Sequence, residues 1–82
     1  MKVYIVTHAV SDDDGNFYAL VEGVYTEESK AISKVKEVHD EIVGLFENPE
    51  DDYEDGDRYF EIYEADDIGI RRAVEINEKE VE

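Results

Sequence analysis

The sequence predicts an α+β domain of order β-β-α-β, extended by a further β, with one helix packed on a three- or four-stranded antiparallel sheet. Three observations carry that expectation. Residues 2–9 and 59–65 alternate between two faces and are rich in β-branched and aromatic side chains, as half-buried strands are. Residues 31–45 set apolar side chains three and four apart, the spacing of an amphipathic helix. The stretches between hold Asp, Asn, Gly and the single Pro, residues that turn or stop a chain.

In the first strand Val3, Ile5 and Thr7 face one way and Tyr4, Val6 and His8 the other. Asp12-Asp13-Asp14-Gly15-Asn16 suits a turn and leads to a second strand, Phe17 to Tyr25, in a long-looped hairpin. Thr26 is placed to cap a helix, followed by Glu27 and Glu28 at the positive end of the helix dipole. Ala31, Val35, Val38, Ile42 and Leu45 then form an apolar stripe, widened by Ile32, Val43 and Phe46, while Lys30, Lys34, Lys36, Glu37, Asp40 and Glu41 stay wet. Pro49 disfavours helical geometry at Asn48, so the helix should end near Glu47 and release a loop.

Tyr59 to Ala65 reads as the third strand, with Phe60 and Ile62 on one face and Tyr59, Glu61 and Tyr63 on the other. Ile70 to Asn77 reads as a short fourth strand, with Ile70, Arg72, Val74 and Ile76 sharing a face, or as a helical turn; residues 78–82 should fray. A right-handed crossover through the helix would set the third strand beside the first, in order 2-1-3, leaving the fourth at an edge.

Eighty-two residues make one domain, 1–82. Leu, Ile, Val and Phe are 22 of those residues, enough for a core despite a net charge of −16. Without Cys there is neither a disulfide framework nor a thiolate zinc site. The start, MKVYIVTHA, lacks the long apolar run of a signal peptide or membrane span, so the expectation is a soluble, cytoplasmic protein without membrane contact. Such a charge repels nucleic-acid backbones and attracts surfaces that are basic because they bind polyanions. The expected partner is therefore a basic, nucleic-acid-binding protein, and direct binding of DNA or RNA is not expected.

The charge is concentrated. Residues 47–67 hold eleven Asp or Glu against the single Arg58. Tyr59, Glu61 and Tyr63 project from one side of the third strand, with Tyr53 in the adjoining loop, which interleaves tyrosines with carboxylates. Alternate strand residues lie about 6.6 Å apart, near the spacing of phosphates along a nucleic acid, and Tyr is favoured at interfaces. The candidate partner-binding residues are Glu50, Asp51, Asp52, Tyr53, Glu54, Asp55 and Asp57, continuing through Tyr59, Glu61, Tyr63, Glu64, Asp66 and Asp67. The alternative is a solvated face, in which these tyrosines cover the outer sheet surface beside Tyr4 and Tyr18 and the acids serve solubility.

Other chemistry finds less support. Setting Gly56 at the sixth position of a calcium loop puts Asp51 first and Asp55 fifth, but Tyr53 falls third and Ile62 twelfth, so the EF-hand register fails. Asp12-Asp13-Asp14 is a turn before it is a cation site. His8 and His39 are the only imidazoles, one on a strand and one on the helix, and no Ser stands at a spacing that makes a nucleophile–base pair with either. No catalytic residue, metal site or cofactor is expected.

The segments KVYIVTHA, VEGVYTEESKA and YFEIYEADD together resemble the small β-β-α-β proteins of unknown function found in phage and bacterial genomes. The resemblance covers roughly residues 2–67 and implies the fold more than any activity. In size and acidity the chain is also similar to phage-encoded inhibitors of host defence, DNA mimics and anti-CRISPR proteins among them. The functional expectation is a non-enzymatic inhibitor whose anionic surface occupies a basic site on its partner. The alternatives are a structural or oligomerising domain, pairing with a second copy through its outer sheet face or an edge strand, and a calcium-stabilised module.

Overall fold

The computed structural model describes residues 1–45, 51–64 and 69–81, with positions 51–55 and 64 described by their backbone alone. Lys2–Asp12 (β1) and Phe17–Tyr25 (β2) form the expected hairpin, Glu28–Leu45 is the single helix among the described residues (α1), and Asp51–Asp55 (β3), Tyr59–Glu64 (β4) and Ile70–Glu80 (β5) complete an antiparallel sheet. The α+β class is as the sequence predicts. The sheet has five strands in the order β2-β1-β5-β4-β3.

Two features of that order depart from the sequence expectation. The acidic stretch read as a loop is partly a strand: Asp51–Asp55 pairs with β4 across a three-residue turn, with Gly56 at φ 64°. Pairing to a neighbour already in the sheet gives those backbone groups partners that their low strand propensity does not predict. The fourth expected strand is central, not an edge. β5 pairs with β1 from Lys2–Glu80 to Asp12–Ile70, and β4 lies on its far side. Length and burial decide this, because β5 matches the eleven residues of β1 and the six of β4 do not. Its extension past Asn77 to Glu80 follows from the same match, supported by Lys2 Nζ at 3.3 Å from Glu78 and by Val81 N–H donating to the Met1 carbonyl at 2.7 Å. Antiparallel ladders throughout make β2 and β3 parallel, so α1 carries the chain from one edge of the sheet to the other.

The core lies between α1 and one sheet face. Val6 pairs with Ile76, Phe60 with Val74, and Ile62 with Arg72, while Ala31, Val35, Val38 and Ile42 descend from the helix onto them. The helical stripe is narrower than its sequence suggests: Val43 and Leu45 are exposed, Ile32 is half-buried, and Phe46 lies outside the described residues. The helix also starts later than a Thr26 cap would set it. The Glu27 carbonyl accepts from Ala31 N–H at 3.3 Å, because Tyr25 still pairs with Tyr4 and two residues are needed to leave the sheet.

Candidate partner-binding surface

Among the described residues no helix lies over the sheet's second face. Ladder register assigns to it Tyr59, Glu61 and Tyr63 of β4, Arg71, Ala73 and Glu75 of β5, the odd-numbered residues of β1, and Phe17, Ala19, Val21 and Val24 of β2. The alternation of β4 is thus the one its sequence predicts, and the three polar positions are half-buried. Backbone positions 51, 53 and 55 of β3 stand opposite Tyr63, Glu61 and Tyr59. Residues 51–64 of the acidic and tyrosine-bearing stretch therefore form one hairpin at one edge of the sheet. Glu50, Asp66 and Asp67 lie outside the described residues, and Asp57 is exposed in the turn. Tyr4 and Tyr18 do not share this face: Tyr4 packs against the core, and Tyr18 stands opposite Val10 on the helix side.

Strand pairing brings a cation onto the face that sequence alone does not suggest. Arg71 stands opposite Tyr63 in the ladder, with its guanidinium carbon 5.4 Å from the ring centroid and Nε 3.6 Å from Glu61 Oε1. The first contact is a cation–π arrangement, the second an ion pair at the half-exposed limit where such pairs contribute little to stability. Together they set the guanidinium beside both the ring and the carboxylate. The signal for Arg71 is its phase, since it alternates with Ile70 and Arg72, but its neighbours follow only from the register. Arg58, the one cation inside the acidic stretch, serves elsewhere: Nη2 lies 3.4 Å from Glu78 and Nη1 3.8 Å from Glu28, which ties the β3–β4 turn to β5 and to the start of α1.

The histidines occupy separate surroundings. His39 meets Phe60 edge-on, ring centroids 4.8 Å apart, and its Nδ1 is 3.6 Å from Asp40. Val35, Lys36, His39, Asp57, Tyr59 and Phe60 line a cleft of about 210 Å³ there, below the several hundred Å³ usual for small-molecule sites. His8 is buried on the helix side of the sheet, with Nδ1 3.1 Å from Glu22 Oε1 and Nε2 3.4 Å from Arg72 Nη1. Glu22 reaches it because β2 bulges: Val6 pairs with Gly23 and Thr7 with Val21, so Glu22 is the extra residue. Sequence reasoning missed this chain of three side chains, since nothing in the spacing of residues 8, 22 and 72 announces it.

The aspartates of the β1–β2 turn act as the sequence predicts. Asp12 accepts hydrogen bonds at 3.0 Å from Asn16 Nδ2 and from the backbone N–H groups of Asn16 and Asp14. The Asn16 side chain is the main reason its carboxyl titrates below the ordinary range. Among the described residues, no group of three or more His, Asp or Glu is arranged to hold a metal, and no helix is long and apolar enough to cross a membrane. No family model, curated protein or solved structure matches this chain.

Proposed function

We propose that this protein is a non-enzymatic interaction module whose β3–β4 hairpin carries an anionic, tyrosine-bearing surface into a basic, nucleic-acid-binding site of another protein. The observation behind this reading is that Tyr59, Glu61 and Tyr63 stand on a sheet face without a helix, in one ladder with a strand of sequence DDYED. Tyrosines there offer broad contact area at low entropic cost, and the surrounding charge steers a basic partner toward them. Arg71 stands beside both the Tyr63 ring and Glu61, so the face also carries a cation next to its tyrosine and carboxylate. A phage-type inhibitor that displaces nucleic acid from a host protein is the concrete form, in keeping with the resemblance to small phage proteins.

The test is capture of a partner at two salt concentrations, followed by competition with DNA or RNA and by a variant with Asp51→Asn, Asp52→Asn, Glu54→Gln and Asp55→Asn. Binding should weaken steeply with salt, nucleic acid should compete, and the folded variant should associate more slowly. Equal rates and affinities for the variant would reduce the acidic strand to a solubility feature.

A further inference from the structure

The uncovered face of the sheet is divided by charge. On β1 and β2 it presents the odd-numbered residues from Val3 to Ser11 together with Phe17, Ala19, Val21 and Val24, and none of these is charged. Phe17, Val21 and Val24 are 70%, 60% and 59% exposed. Large apolar side chains left open along one strand, rather than scattered, mark an interaction surface. On β5 and β4 the same face carries Glu75, Glu61 and Arg71, and Arg71 already meets Glu61 and the Tyr63 ring. Beyond them the sequence DDYED forms the edge.

Register sets Ala19, Ala9 and Ala73 in one row across β2, β1 and β5, ending at Glu61 on β4. This row lies lower than the rows beside it, which begin with Phe17 and with Val21, and so leaves room for one large apolar side chain next to a carboxylate. β1 and β5 are hydrogen-bonded to neighbours on both sides. An occupant over them finds no free backbone and must satisfy its own, as an α-helix does. From β2 to β3 the sheet is four strand spacings wide, about 19 Å, and a helix with its side chains is about 10–12 Å across. A helix over β1 therefore covers the uncharged half and brings one flank above Glu75 and Glu61.

We infer that this face seats an amphipathic helix of the basic partner, with its apolar stripe on β1 and β2 and with Lys or Arg along the flank turned toward Glu75 and Glu61. The inference rests on the reading of the partner as basic and names the element by which it docks. Charge complementarity selects this occupant. A second sheet would span both halves and desolvate Arg71 and Glu75 along with the apolar side chains, and a helix apolar all round would leave Glu75 without a counter-charge. A second copy does not fit either. It carries a charge of −16, and the exposed side of its α1 bears Glu28, Glu37, Asp40 and Glu41, with Lys30 and Lys34 already beside Glu27 and Glu37.

Three stapled helical peptides, titrated into the ¹⁵N-labelled full chain, test this. One has a leucine stripe with lysines along one flank, the second has Glu in place of those lysines, and the third is the first scrambled so that the stripe is lost. The first should bind and shift the amides of Ala9, Val21 and Ala73, and each of the others should bind about tenfold more weakly or worse. Val21→Glu should keep its circular dichroism and weaken the first peptide about tenfold, although it adds an attractive charge. Tyr18→Glu, the same charge placed on the helix side, should not weaken it. Ala9→Phe fills the low row and should cause a loss of about the same size.

Equal affinity of the scrambled and striped peptides overturns the helix seat and leaves the anionic surface standing, whereas equal affinity of the lysine and glutamate peptides overturns both. A folded Val21→Glu or Ala9→Phe variant that binds the first peptide as tightly as the parent chain also overturns the inference.

Discussion

Arg72 Nη1 lies 3.4 Å from His8 Nε2 on the helix side of the sheet. A guanidinium has only donors, so Nε2 must accept, and the imidazole proton must sit on Nδ1, where it is donated to Glu22 at 3.1 Å. The ring is therefore expected as the neutral Nδ1–H tautomer, which the ¹⁵N chemical shifts of its two nitrogens would report directly. Replacing it removes the partner of a half-buried carboxylate. His8→Leu should cost about 1–3 kcal/mol in a chemical melt and leave partner binding intact; loss of binding in a fully folded variant would give His8 a functional role.

Val38 is 2% exposed at the centre of the helix stripe. Val38→Asp should abolish folding, because an unpaired carboxylate in a core this small costs several kcal/mol, much of the stability such a domain has. A melting temperature close to that of the parent protein would refute the helix register.

Gly23 lies under the ring of Tyr25, and a Cβ added there would stand 2.6 Å from the Tyr25 hydroxyl and 2.7 Å from a ring carbon. Gly23→Ala should destabilise by about 1–3 kcal/mol through overpacking. In a Tyr25→Ala background the same change should cost much less, and a double-mutant cycle measures that coupling. Additive losses would mean that the ring does not rest on the glycine.

The hydrogen bonds of Asp12 give a pH dependence with a definite sign. Its carboxyl is depressed in the folded state, chiefly by Asn16, so its contribution is present above the unfolded value of 3.8 and is lost as pH falls through the folded value. Asp12→Ala should therefore melt below the parent protein at neutral pH, and the gap should close in strong acid. A gap that is unchanged below pH 3.8 would exclude the carboxylate as its source.

Arg71 provides a test of the proposed surface that does not touch an acid. Arg71→Gln removes an exposed ion pair worth less than about 1 kcal/mol, so the fold should survive. Removing the Arg71 cation beside Tyr63 and Glu61 should speed association with a basic partner, measured by stopped-flow at low salt. Slower association would mean that Arg71 itself contacts the partner.

What was legible in the sequence was local. The alternation of Val3 to His8 and of Tyr59 to Tyr63, the three-four spacing of Val35, Val38 and Ile42, and the Asp-Gly-Asn turn each identify an element, because side-chain period and backbone preference are carried by neighbours in the chain. The segregation of acids to residues 47–67 was equally plain. Tertiary structure decided what those elements meet. It set β5 between β1 and β4, since a strand finds its place by the length and burial of its partners, and neither is visible in its own residues. The same pairing made a strand of DDYED, brought Arg71 onto Tyr63, and bulged β2 so that Glu22 turns to His8. It also left β2 at an edge. Periodicity predicts which residues face inward, but whether a strand's backbone is paired on both sides depends on contacts far apart in sequence, and those form only when the whole sheet does.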